Sequence, residues 1–349
     1  MTYRIFTTFE DGDVTSLKGT EVTTGLWSND TGSLSAIYTS SVQVGISGEY
    51  YYDLYNGSNV TTSDVQFSVA YGHVSGGGSP PLTALNTSTL PTQVIYSQYK
   101  NILLSDTAQK FSFGGVESDD IYVINFQRTR LKQALDPGNW QLSLSGSSGV
   151  YTFIDDSGLT TAVVGNLVAS NVYNIKSGSL TTSPTGSVVG LVFPDYGVII
   201  LKPSSITGLV GFTGSNSTLN GKNLPGPFAP YTGSAATTYQ YQHEGLSRAI
   251  SLAMGGGKAF VARSAETITS TNYFVRLKNA QYNYSNNPTY YTGSLPQNVL
   301  EPFRVKPITY PTTIGLYNDQ NELLAVAKLS RPIQKSTDKE ALVRVRLDF

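Results

Sequence analysis

Alternation of apolar and polar positions is the strongest signal along this chain. Val65, Phe67, Val69 and Tyr71 fall on one face of a segment and Gln66 and Ser68 on the other, the period of two that predicts a strand. Tyr273, Val275 and Leu277 alternate in the same way with Phe274, Arg276 and Lys278. Near the end, Val343, Val345, Leu347 and Phe349 alternate with Arg344, Arg346 and Asp348, and a chain ending in such a strand is expected to have a docked terminus. Residues 121–126 are apolar on both faces, which predicts a strand buried on both sides.

Two hairpins are legible. Residues 188–193 and 198–201 flank Pro194-Asp195-Tyr196-Gly197, where Pro presets φ and Gly accepts the positive φ that closes the turn. Residues 314–317 and 323–329 flank the four-residue connection Asn318-Asp319-Gln320-Asn321.

A helical period follows Pro91-Thr92, with Ile95, Tyr99, Ile102 and Leu103 on one stripe. A second helix is predicted between Tyr241 and Met254, with Leu246, Ile250, Ala253 and Met254 apolar and Gly255-Gly256-Gly257 as its stop. A short helical segment over 127–135 ends at Asp136-Pro137-Gly138-Asn139. The Gly- and Ser-rich stretches 75–81 and 208–233 predict loops.

These elements predict a mainly β protein with a few short helices, of antiparallel β-sandwich or barrel-like architecture. Three domains are expected: a β-rich 1–145 with one or two helices, a loop-rich 146–260 ending in a helix, and a C-terminal β domain over 261–349. No repeat of fixed period occurs, which argues against a solenoid or propeller.

Composition sharpens the picture. Of 349 residues only 13% are charged, the net charge is -1, and 34 Gly and 23 Tyr stand out. A near-zero net charge argues against nucleic acid or an anionic membrane as a partner held by bulk electrostatics. It also offers little resistance to self-association. With no cysteine, disulfides, thiolate metal sites and Cys nucleophiles are excluded, and a reducing cytosol is weakly favoured. The first residues carry no long apolar run and read as something other than a signal peptide. No stretch approaches ~18 consecutive apolar residues, so no membrane span is expected.

The chemistry-bearing residues form no recognisable constellation. His73 and His243 lack metal-ligand spacing, and His243 beside Glu244 reads as a solvated pair. Gly255-Gly256-Gly257-Lys258 is no phosphate loop, because Leu252 stands where its first Gly belongs and Ala259 where Ser or Thr belongs. Asp155-Asp156 reads as a turn, and Asp119-Asp120 is a pair only in sequence. Glu10-Asp11-Gly12-Asp13 lacks the further ligands of a calcium loop and reads as a solvated turn. Arg128, Arg130 and Lys132 make one short basic helix, with Arg128 and Lys132 on one face, read as solvated. No catalytic, cofactor-binding or metal residue is nominated; no enzyme activity, cofactor or small-molecule substrate is expected.

Sequons at Asn29, Asn56, Asn59, Asn86, Asn216 and Asn283 read as chance products of an Asn-, Ser- and Thr-rich composition. The tyrosine clusters read as contact surface. Tyr50-Tyr51-Tyr52, and Tyr282, Tyr284, Tyr290 and Tyr291 around Asn286-Asn287-Pro288, suit protein contact or stacking on sugars, with half of each group expected in the core.

Three stretches carry a family resemblance. Residues 120–140 open Asp-Ile-Tyr-Val-Ile-Asn-Phe and close Leu-Asp-Pro-Gly-Asn-Trp; residues 190–201 read Gly-Leu-Val-Phe-Pro-Asp-Tyr-Gly-Val-Ile-Ile-Leu. Residues 310–332 read Tyr-Pro-Thr-Thr-Ile-Gly-Leu-Tyr-Asn-Asp-Gln-Asn-Glu-Leu-Leu-Ala-Val-Ala-Lys-Leu-Ser-Arg-Pro. Together they resemble virion structural proteins of marine, cyanophage-like, T-even-type contractile-tailed phages. The last stretch is also similar to the closing segment of baseplate wedge proteins. The resemblance implies an architectural subunit of the tail or baseplate, found in the virion and assembled in the bacterial cytoplasm. Its implied partners are other virion proteins and copies of itself. A head decoration, neck or fibre protein and a glycan-binding recognition module are the alternatives.

Overall fold

The computed structural model describes residues 6–39, 51–59, 61–76, 91–105, 110–159, 167, 171–211, 218–219, 222–223, 242–293 and 298–348. The protein is mainly β with a few short helices, in an antiparallel, curled-sheet architecture. It divides into two compact units, Glu21–Glu266 and the pair of segments Met1–Thr20 and Thr267–Phe349.

Strands are numbered in chain order. The first eight are β1 (Val14–Gly25), β2 (Ser33–Leu34), β3 (Tyr38–Thr39), β4 (Tyr51–Tyr55), β5 (Val65–His73), β6 (Phe111–Phe113), β7 (Val116–Ser118) and β8 (Asp120–Phe126). Next come β9 (Ala134–Leu135), β10 (Leu142–Gly146), β11 (Gly149–Asp155), β12 (Tyr173–Ser179), β13 (Thr182–Phe193), β14 (Val198–Leu201), β15 (Thr218–Leu219) and β16 (Lys222–Asn223). The last seven are β17 (Phe260–Val261), β18 (Arg263–Leu277), β19 (Ile308–Thr309), β20 (Thr313–Tyr317), β21 (Leu323–Lys328), β22 (Lys335–Ser336) and β23 (Ala341–Asp348).

The larger unit is built on one nine-stranded antiparallel sheet in the order β10-β11-β12-β13-β14-β8-β5-β4-β3. The helix Gln242–Gly255 packs against β10 at one edge and against β4 and β5 near the other. In a flat sheet those strands would lie roughly 30 Å apart, while a helix is only about 10 Å across. The sheet therefore curls around the helix. Phe67, Val69, Tyr71, Tyr122, Ile124, Leu142, Leu144, Ile199 and Leu201 turn inward to one core with Leu246 and Ile250.

The outer face carries a second core. Helix Pro91–Leu103 and the hairpin β6–β7 cover Ala70, Ile121, Val123 and Ile200. The helix sits so close that a Cβ on Gly72 would lie 2.8 Å from the Tyr96 backbone nitrogen. Tyr96 is buried there, donates to the Ser118 carbonyl at 2.9 Å, and has its hydroxyl pKa pushed up to about 12 by burial.

In the smaller unit β18 lies between β1 and β23. The register sets Tyr273 opposite Val345 and Val275 opposite Val343, so the alternation of both segments is used on one face. Two short pairs complete it, β19 with β22 and the hairpin β20–β21.

Several sequence-based expectations change. The division at 145/146 falls inside β10, and β8 of the expected first domain pairs with β14 of the expected second, so both belong to one unit. Long polar stretches of sequence between the strands hid a continuous sheet. Residues 1–20 join the C-terminal strands because β1 pairs with β18. The helical segment 127–135 shrinks to Arg128–Leu131, since Lys132 takes φ 52 and the chain then extends into β9. The stripe of helix Pro91–Leu103 is rotated: Thr92, Tyr96 and Leu103 are buried, whereas Ile102 is exposed. The stretches 77–81 and 212–217, most of 220–233, Tyr50, Asn86, Asn216 and Phe349 lie outside the described residues.

Candidate functional site

The tyrosines singled out in the last third converge in the smaller unit. Tyr282, Tyr284 and Tyr290 line a groove of about 400 Å³ together with Gln281, Phe303 and Arg304. Local chemistry sets its walls. The Asn287 side chain accepts from the Thr289 N–H at 3.2 Å and starts the turn Pro288–Tyr290. That turn stacks Tyr290 on Phe303 at 4.4 Å and 10°. Tyr290 is buried and donates its hydroxyl proton to the Asn283 carbonyl at 3.1 Å, whereas Tyr284 is 50% exposed.

The opposite wall is strained. Tyr282 takes φ 57, a left-handed conformation that costs a bulky residue of order 1–3 kcal/mol. Its carbonyl accepts from Thr309 Oγ1 at 2.6 Å and its hydroxyl meets Thr7 Oγ1 at 2.5 Å, so both ends of the residue are held. Lys335 lies behind this wall, 0% exposed, and its Nζ donates to the Asn279 carbonyl at 2.9 Å, Asn283 Oδ1 at 2.8 Å and the Ser336 carbonyl at 2.9 Å. Asn283 Nδ2 in turn donates to the Asn279 carbonyl at 2.6 Å. The side chain of this sequon asparagine is committed to the fold.

The same unit carries an apolar surface. Leu323, Leu324 and Val326 of β21 and Tyr317 of β20 are exposed, while Leu316 alone of this hairpin is buried. A two-stranded hairpin is marginal by itself in water, and exposed leucines do not stabilise it. The Asn318 side chain shapes its tip, accepting from the Gln320 and Glu322 N–H groups at 3.1 and 2.8 Å.

The remaining candidate residues have structural places. His243 and Glu244 are buried at 3% and 4% exposure, which overturns the solvated pair, because the curled sheet encloses their helix. Tyr52 donates to Glu244 Oε1 and meets the His243 ring edge-on at 5.0 Å. Tyr122 donates to Gln242 Oε1 at 3.3 Å. Of the first tyrosine cluster, Tyr52 is thus core and Tyr51 is exposed, as alternation on β4 requires.

His73 lies directly opposite Asp120 across β5 and β8. Burial pushes the imidazole below its usual pKa and the Asp120 carboxyl above its own. No local signal announces this pair, which only the strand register assembles. Asp119 is apart from it, paired with Lys110 at 2.6 Å.

The turn expected at Asp155-Asp156 begins one residue later: Asp155 ends β11, paired with Ile175, and the Leu159 N–H bonds to the Asp156 carbonyl at 3.0 Å. Both aspartates are buried, and Lys176 reaches Asp156 at 3.1 Å. In Glu10-Asp11-Gly12-Asp13 the turn exists, with Gly12 at φ 89, but it is paired where solvation was expected: Asp13 is buried and bridges Arg276 at 2.7 Å. The helix Gln242–Gly255 stops within its run of three glycines, with the Gly256 N–H bonded to the Leu252 carbonyl at 3.0 Å. Arg128 and Lys132 share no face, since the helix ends before Lys132, and Arg130 reaches Asp64 at 3.1 Å. Among the described residues no group of three or more His, Asp or Glu side chains is placed to hold a metal ion, and no helix is long and apolar enough to cross a membrane.

Neither protein-family models, nor curated protein sequences, nor solved structures yield a match to this chain.

Proposed function

We propose that this chain is an architectural subunit of a phage virion, in the tail or baseplate. It works by burying surface against neighbouring virion proteins and copies of itself. It is not an enzyme in this reading, and its place of assembly is the bacterial cytoplasm. The observation that carries the proposal is the hairpin β20–β21, whose Leu323, Leu324 and Val326 stand in solvent within the stretch that resembles baseplate wedge proteins. An isolated chain gains nothing by displaying them, whereas a subunit that buries them gains about 25 cal/mol for each Å² of apolar surface covered. A net charge of -1 leaves copies free to approach one another.

The test is quantitative mass spectrometry of purified particles from a phage encoding the chain, followed by imaging of the tail. Fixed-stoichiometry recovery with the tail supports the proposal. Absence from the particle overturns it.

A second reading rests on the groove. Exposed Tyr284 beside Arg304 could stack on a sugar ring, which would make the unit a recognition module. A glycan array separates the two: selective binding lost in Tyr284→Ala favours recognition, and no binding leaves assembly alone.

A further inference from the structure

We infer that Lys335 and Asn283 join in an intramolecular isopeptide bond, lysine Nζ to asparagine Cγ, with release of ammonia. Three observations carry it. First, Nζ stands 2.8 Å from Oδ1 of Asn283, so the carbonyl carbon, one bond of about 1.2 Å further, is no more than about 4 Å away, and a small shift brings it into the attack range of about 3–3.5 Å. Second, Lys335 is 0% exposed, and each of its hydrogen-bond acceptors among the described residues is a carbonyl oxygen, so the amine is desolvated with no carboxylate hydrogen-bonded to it. Third, the amide is held on its other side by Nδ2 donating to the Asn279 carbonyl at 2.6 Å. That same carbonyl accepts from Nζ at 2.9 Å, so nucleophile and electrophile are held together by one shared acceptor.

Burial lowers the ammonium pKa and raises the fraction of neutral, nucleophilic amine. The step balances without a further reactant. Nζ first gives up one ammonium proton, and with it one of its three hydrogen bonds, to free a lone pair; it then attacks Cγ, the Cγ–Nδ2 bond breaks, and the lysine nitrogen has passed from ammonium to amide. The two protons it gives up leave on the departing nitrogen as ammonium. Glu340 accepts from the N–H of Asn279, the residue whose carbonyl holds both reacting groups, and to this carboxylate we assign the relay of those protons.

The bond suits this part of the fold. A chain without cysteine has no disulfide to use. Strand β22 is two residues long and pairs with the equally short β19. A cross-link spanning 52 positions would pin β22 to the groove wall and restrict the unfolded chain, as a disulfide does.

The test is the intact mass of the purified protein under denaturing conditions, with peptide mapping. The expected mass is that of the sequence less one ammonia, with a branched peptide joining Asn283 to Lys335. Lys335→Arg should restore the full mass, which separates the cross-link from cyclisation of an asparagine to a succinimide. Glu340→Gln should slow the loss. The inference is overturned if the wild-type protein, incubated above neutral pH, keeps its full mass and yields Lys335 in a linear peptide.

Discussion

The indole N–H of Trp140 donates to Asp155 Oδ2 at 2.5 Å, and both residues are buried. The same oxygen accepts from the Gly138 N–H at 2.9 Å, while Oδ1 takes the Ser157 N–H at 3.0 Å and its hydroxyl at 2.5 Å. One carboxylate thus ties two turns of the large sheet to a core tryptophan. Asp155→Ala leaves several buried donors without acceptors and should cost about 3 kcal/mol or more. Urea denaturation measures it; a loss under about 1 kcal/mol would show that the carboxylate is dispensable.

Gly72→Val should displace the outer helix. Its Cβ would meet the Tyr96 backbone at 2.8 Å, and main chain cannot rotate aside, so we expect a cost of about 1–3 kcal/mol. Gly158→Ala is the control, since nothing lies within 4 Å of its Cβ. Thermal melts of the two variants should differ; equal shifts would refute the tight contact.

Acid should weaken the Asp13 turn. The Glu10 N–H, then the Arg276 guanidinium, hold the Asp13 carboxyl below its ordinary value of 3.8. A carboxyl depressed in the folded state stabilises above its unfolded pKa and loses that contribution as pH falls through the folded one. Asp13→Asn should therefore be less stable than wild type near neutrality, with the gap closing below about pH 4. A gap that widens in acid contradicts the pairing.

Burial is the leading influence on His73 and outweighs the attraction of Asp120 opposite it. Its imidazole should titrate below 6.5, so His73 favours folding above that pH and loses the contribution as pH drops. NMR titration of the ring reads this directly; a midpoint above 6.5 would mean that Asp120 dominates.

Leu324→Glu separates folding from assembly. The side chain is 67% exposed, so monomer stability should move by less than about 0.5 kcal/mol. Incorporation into particles, or self-association in sedimentation, should fall severalfold. Unchanged assembly would remove the hairpin from the interface.

The groove was half legible. Tyr282, Tyr284 and Tyr290 stood out because tyrosine crowds around Asn286-Asn287-Pro288 in a short span. Phe303 and Arg304, and Lys335 bonded to the lining residue Asn283, did not, because they arrive from other segments and carry no local pattern. His243 and Glu244 misled for the same reason: a polar pair on a helix looks solvated until a sheet closes over it.

The chain by itself determined several of its strands and turns and its mainly β class. Those follow from side-chain period and from Pro and Gly geometry, which act over a few residues. The strands β11 and β12 of the stretch read as loop-rich emerged only in the sheet. Burial of Tyr52, His243 and Glu244, the pairing of His73 with Asp120, and the approach of Lys335 to Asn283 were decided only in three dimensions. Each depends on strand order or on a sheet's curl, which brings together residues with no sequence relation to one another.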